Sequence, residues 1–163
     1  MTNEIQDRNL EELSRLNDAE LIKYILERFH ARHRDQLKEV IDHADKVVTV
    51  HSDHALCPKA LTASLREMAG ELELHMLKEE NILFPMIHNG EGAFAVGPIS
   101  VMSNEHEMHL ATIKKLEAFV ADDHLPQDAC PTWRRLFKSV QELITDLRTH
   151  IQIENDILFA RQG

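Results

Sequence analysis

Two stretches of this 163-residue chain place an imidazole and a carboxylate at the same spacing: His75 with Glu79, and His150 with Glu154. Both read H-x-x-x-E-x-x-I-L-F, and every shared residue is displaced from its counterpart by 75 positions. On a helix, positions four apart share a face and lie about 6 Å apart along the axis. Each stretch therefore aims one nitrogen donor and one oxygen donor in the same direction.

That direction is inward. Leu61, Leu65, Met68, Leu72, His75, Glu79, Ile82 and Met86 follow the alternating four-and-three spacing of a bundle core. Trp133, Phe137, Val140, Ile144, Leu147, His150 or Ile151, Glu154, and Ile157 or Leu158 do the same in the last quarter. A buried carboxylate costs several kcal/mol unless a cation compensates it. Two further seams bring histidines inward: Leu26, His30, His33, Leu37, Val40, Ala44, Val47, and Ile99, Met102, His106, His109, Ile113, Leu116, Val120. His30 and His33 match His106 and His109 at an offset of 76.

The elements that must position these groups are four amphipathic helices. The first is expected from Asn17 or Asp18, where Asn17 and Glu20 form a capping box, to about Val50. The second runs from Pro58 to about His88, the third starts at Pro98, and the fourth runs from Pro131 to about Ala160. The segment from His88 to Gly97 holds three of the five glycines and divides two similar halves. The fold expected is an all-α, up-down-up-down four-helix bundle, with a pseudo-twofold axis relating two helix hairpins. Residues 1–17 read as a leader or short outer helix without chemistry, and residues 18–163 as one domain.

In this antiparallel arrangement His30, His75, Glu79, His106, His150 and Glu154 fall in one layer. Zinc takes about four ligands and calcium takes oxygen, so neither matches this set. Four nitrogen and two oxygen donors suit two iron or manganese ions bridged by the carboxylates, with open positions for water, hydroxide or a diatomic gas. A lone core histidine is usually a hydrogen-bonded structural residue; six polar core residues arranged as a repeat require more. His33 and His109, one turn along, are as well placed to support ligands or line a channel as to ligate. Glu105 could reach the site edge but is expected to face solvent.

The remaining features exclude more than they assign. A net charge of −10 disfavours nucleic acid and anionic membranes. No apolar run is long enough to span a membrane and no signal-peptide pattern opens the chain, which points to the cytoplasm. Cys57 and Cys130 lie at the starts of the second and fourth helices; Cys57 is roughly 27 Å of helix rise from His75, too far to ligate. Of the eleven histidines, His43, His51, His54, His88 and His124 fall near helix ends or in loops. Glu27-x-x-His30 matches half of a ferritin-type motif, but the third helix carries no second copy.

Taken together with R-F-H-A-R-H-R around His30, S-x-E-H around His106 and G-P-I-S-V-M from Gly97, the chain resembles the hemerythrin-like proteins, and among them the di-iron repair of iron centres proteins. The resemblance covers residue 18 to the end. It implies terminal iron ligation by His30, His75, His106 and His150, bridging by Glu79 and Glu154, and an oxo- or hydroxo-bridged pair of irons. It further implies repair of iron-sulfur clusters damaged by nitrosative or oxidative stress, with damaged iron-sulfur proteins or a cluster-assembly scaffold as partners and iron donation as the means. An enzyme reducing nitric oxide or peroxide, and a reversible oxygen or nitric-oxide binder or sensor, are the competing readings. Oxygen-carrying hemerythrins differ: they have H-x-x-x-H in the third helix, where this chain has Leu110 four residues after His106. The paired-cysteine domain that precedes the bundle in longer repair proteins is not expected here.

Overall fold

The computed structural model describes residues 5–163, and among them the structure is helical with no strand. Residues 1–4 of the expected leader lie outside the described residues. A short helix α1 (Leu10–Ser14) precedes four long ones. Helix α2 joins Asp18–Ile25, a π turn Leu26–His30 and Ala31–Val50. Helix α3 joins Lys59–Lys78, a π turn Glu79–Leu83 and Phe84–His88. Helix α4 is uninterrupted over Val96–Phe119. Helix α5 joins Pro131–Ile153, a π turn Glu154–Leu158 and a final 3-10 turn Phe159–Arg161.

Local sequence fixes the ends. The Asn17 side chain accepts from Glu20 N–H while the Glu20 carboxylate accepts from Asn17 N–H, which satisfies two otherwise unpaired donors. After α3, Gly90 takes a φ of 77°. The N–H groups of Gly90 and Glu91 return to the carbonyls of Ile87 and Met86, a Schellman stop that favours glycine at this left-handed position. Helix α4 starts two residues before Pro98, and Pro58 caps α3 from outside rather than opening it.

Consecutive long helices pack side by side, and α5 returns to α2, so the four close a ring. Two apolar cores fill it. One contains Leu37, Leu65, Met68, Ile113, Trp133 and Val140; the other contains Leu21, Ile25, Phe29, Leu83, Phe84 and Leu158. The histidine and glutamate layer lies between them. Leu13 of α1 is fully buried in the second core, worth about 1.5–3 kcal/mol. Arg161 donates to the carbonyls of Ser14 and Leu16, and Arg28 to Asp7. The N-terminal segment is thus built into one end of the bundle, not merely laid outside it.

The π turns correct two of the expected seams. Each inserts one residue and rotates the helix beyond it. In α3 the seam leaves the four-and-three pattern after Glu79: Ile82 is 54% exposed and Leu83 is 1% exposed. In α2 the buried positions are Ile25 and Phe29, and Leu26 is only half-buried. Ile82→Lys is expected to change stability by no more than ~0.5 kcal/mol, against ~2–5 kcal/mol lost in Leu83→Ala. Urea unfolding of the two metal-free variants checks this; a severe loss in Ile82→Lys would restore the uninterrupted seam.

Candidate metal centre

The π turns coincide with the polar layer. His30 closes the one in α2, Glu79 opens the one in α3 and Glu154 opens the one in α5. His75 and His150 stand one α-turn before the two glutamates, and His106 projects from α4. All six side chains are buried, the two carboxylates completely.

Every one of the four histidines turns Nε2 toward the carboxylates. His30 Nε2 lies 3.2 Å from Glu79 Oε2 and 3.7 Å from Glu154 Oε1. His75 Nε2 lies 3.1 Å from Glu79 Oε1, His106 Nε2 3.0 Å from Glu154 Oε2, and His150 Nε2 2.5 Å from Glu154 Oε1. Two overlapping tetrads result: His30, Glu79, His150 and Glu154, and His75, Glu79, His106 and Glu154. Within each, the donor atoms lie within 4.8 Å of one another, and both carboxylates belong to both.

The Nδ1 atoms face outward to a ring of orienting groups. His30 Nδ1 meets Glu80 at 2.8 Å, His106 Nδ1 meets Asn155 at 2.8 Å, and His150 Nδ1 meets His33 Nε2 at 3.0 Å. Among the described residues His75 Nδ1 has only Glu105 Oε1, at 3.5 Å. Phe84 packs on His30, and Phe159 stacks on His106 at 5.8 Å with a 6° tilt. Glu105 is only 20% exposed at its side chain and sits between His75 and Lys78, so its expected place in solvent is corrected. His33 and His109 are both buried, the former bonded to His150 and the latter packed edge-on against His75. Glu80 and Asn155 of this outer ring were missed in the sequence although a signal existed: they keep the same 75-residue offset as the glutamates and as Phe84 and Phe159, which close the repeat.

The electrostatics describe a site short of positive charge. Burial opposes protonation of His30, yet the carboxylates of Glu154 and Glu79 push its pKa up to about 10. Burial likewise opposes it at His106, where Glu154 and then Glu79 push it up to about 9. Burial would raise Glu154, but the histidines around it hold it well below the usual carboxylate range. Burial pushes His150 down against the pull of Glu154. Burial and the neighbouring His150 hold His33 well below the ordinary imidazole value, and burial with His75 and His106 brings His109 down to about 4. Protons on His30 and His106 thus compensate the glutamates in the metal-free chain.

Metal ions fit the same place better. Among the described residues, both oxygens of Glu79, Glu154 Oε2 and His30 Nε2 are buried with no aligned hydrogen-bond partner. Such orphaned donor atoms, converging from four helices on two tetrads, could hold metal. Cys57 and Cys130 take no part: both are free thiols, and Cys130 caps α5 by accepting from Trp133 N–H.

Comparison with known proteins agrees with this reading of the layer as a cation site. The family described as Hemerythrin HHE cation binding domain matches residues 21–161. The iron-sulfur cluster repair protein YtfE of Musicola paradisiaca is 48% identical over 146 residues, 90% of this chain and 65% of the relative. The protein of the same name from Pectobacterium carotovorum is 49% identical over 146 residues, with 88% and 65% covered. That of Escherichia coli O157:H7 is 46% identical over 143 residues, again with 88% and 65% covered. The chain spans just under two thirds, 65%, of the length of these relatives. Among the described residues, no helix is long and apolar enough to cross a membrane.

Proposed function

We propose, from the premise that this chain belongs to the hemerythrin HHE cation binding domain family, that it is a non-haem di-iron protein which restores damaged iron-sulfur clusters by supplying iron. The single observation that carries the reading is the sharing of Glu79 and Glu154 by both buried tetrads. In this reading His30 and His150 would hold one ion and His75 and His106 the other, with Glu79 and Glu154 serving both. Bound iron would supply redox chemistry and an exchangeable ferrous ion. The protein's own part is to orient and enclose. Glu80 and Asn155 fix the rings of His30 and His106 through Nδ1, the contact that sets both tautomer and ring direction in a ligating histidine. Phe29, stacked on His150 at 5.2 Å, and Phe159 on His106 keep water from the outer faces of the rings.

The relatives named for iron-sulfur cluster repair support the choice of role, with damaged iron-sulfur proteins as the substrates. Turnover of nitric oxide or peroxide gains less support. The nearby imidazoles outside the tetrads, His33 and His109, are kept neutral by burial and are poor proton donors at neutral pH.

The test is reactivation of a cluster-dependent dehydratase inactivated by nitric oxide. Iron-loaded protein is expected to restore activity in proportion to the iron it gives up, and the metal-free protein not at all. Equal recovery with metal-free protein, or with free ferrous iron at the same concentration, would defeat the proposal. Sustained consumption of nitric oxide with an electron donor, without reactivation, would replace it by the reductase reading.

A further inference from the structure

His150 is gripped by a chain of polar groups that no metal-binding pattern requires. Its Nδ1 lies 3.0 Å from His33 Nε2, His33 Nδ1 lies 3.2 Å from Gln36 Oε1, and Gln36 Nε2 donates to Asp146 Oδ2 at 2.9 Å. Asp146 is in turn held by Arg28 Nη2 and Arg32 Nε, each at 3.2 Å. One arrangement of protons satisfies the chain from Asp146 to His150 Nδ1. A carboxylate between two guanidinium groups only accepts, so the Gln36 amide nitrogen must face Asp146 and its oxygen must face His33. That oxygen takes the N–H of His33 Nδ1 and leaves His33 Nε2 bare. The bare nitrogen accepts the N–H of His150 Nδ1. His150 Nε2 is left bare toward the interior, where a metal would bind.

The other half of the bundle lacks this device. The offsets that relate the two halves carry His33 to His109, Gln36 to Thr112, Asp146 to Glu71, Arg28 to Asn104 and Arg32 to Met108. Thr112 donates its hydroxyl to the Met108 carbonyl instead. His109 meets His75 ring edge to ring face, with centroids 4.9 Å apart. His75 Nδ1 is buried without a hydrogen-bond partner among the described residues. Its nearest acceptor, Glu105 Oε1, is 3.5 Å away and is drawn toward Lys78 Nζ at 3.0 Å.

We propose that the relay from Arg28 and Arg32 through Asp146, Gln36 and His33 holds His150 ready for metal, so that the ion at His30 and His150 is retained while the ion at His75 and His106 leaves first. This rests on the two-ion reading above and names which ion the repair reaction would draw on. Gln36 and Asp146 are positioning residues: they act on the metal through His33 and His150.

The experiment is anaerobic exchange of ferrous iron into an excess chelator from protein carrying two irons per chain, followed by absorbance. One equivalent is expected to leave at least about tenfold faster than the other, the scale on which removal of an orienting partner weakens a site. In Gln36→Leu the slow phase should speed up to within a few-fold of the fast one. Asp146→Asn keeps an oxygen that can accept from Gln36 and should stay biphasic. Nitrogen-15 shifts of the imidazoles in the metal-free protein give a readout independent of iron: His33 should be protonated at Nδ1 alone in the native chain and in Asp146→Asn, and lose that preference in Gln36→Leu. A single exchange phase from protein holding two irons, or a His33 proton at Nε2, overturns the proposal while leaving the two-ion reading intact. Saturation at one ion or none removes both.

Discussion

Replacing both glutamates by their amides, Glu79→Gln with Glu154→Gln, is expected to abolish metal retention and leave the fold intact. The two carboxylates are the only anionic donors in the tetrads, and both tetrads use both of them. Four imidazoles alone cannot neutralise two divalent ions in an interior from which the glutamates are fully shielded. Retained metal should fall from two ions per chain to none after desalting, with loss of visible absorption. The metal-free fold should respond in the opposite sense. In the native metal-free chain the glutamates require protons on His30 and His106; with amides in place that requirement disappears, and the layer becomes neutral with its shape preserved. Replacing a buried ionic cluster by well-packed apolar groups of like volume is commonly neutral or stabilising by about 1–4 kcal/mol, and the amides remove the same buried charge while keeping groups that can hydrogen-bond the imidazoles. The metal-free double variant should therefore melt no lower than the metal-free native protein at pH 7.5. Two ions still bound would show that the glutamates are not ligands. A double variant unfolded without metal would show that the ionic layer is a structural device.

Legibility in the sequence differed between the layers of the site. The inner six were legible because a repeat of 75 residues writes the same polar intrusion twice into an apolar seam, and core periodicity is the strongest signal a helix carries. The Asn17 and Glu20 box and the glycine-rich break were legible because capping and left-handed positions restrict residue type. The π turns were not. An i to i+5 turn adds one residue without a compositional mark, so Ile82 looked like the next core position when the side chain that reaches the core is Leu83. The orienting ring was hidden for another reason. Gln36, Glu80, Asp146 and Asn155 are polar residues at the flanks of amphipathic helices, where solvent-facing residues are ordinarily polar too. Glu80 and Asn155 at least keep the 75-residue offset; for Gln36 and Asp146 only the fold makes the distinction, by closing a second helix over each flank.

Loading the site should raise the melting temperature on the order of 15 °C or more and release about two protons per chain at pH 7.5. An ion present at a thousand times its dissociation constant adds about 4 kcal/mol to the folded state, and two ions add twice that. For a domain of this size each kcal/mol moves the midpoint by about 2–4 °C. The proton count comes from His30 and His106, with folded values of about 10 and about 9. Both must lose their proton from Nε2 for a metal to take its place. The sign of the pH dependence separates the two forms. A histidine whose folded value is raised lends stability that is fully present below its unfolded value near 6.5, and that is lost as pH climbs through the folded value. The metal-free protein should accordingly lose stability from about pH 6.5 upward, the share from His106 being exhausted near pH 9 and that from His30 near pH 10. The loaded protein has already given up those protons and should not lose stability from them in this window, so the gain from metal widens with pH. Thermal melts of both forms across the range, with calorimetric titrations in two buffers of different ionisation enthalpy, measure each quantity. Proton release near zero, or metal-free stability that rises toward pH 10, would mean that the buried glutamates are neutralised in some way other than by these two histidines.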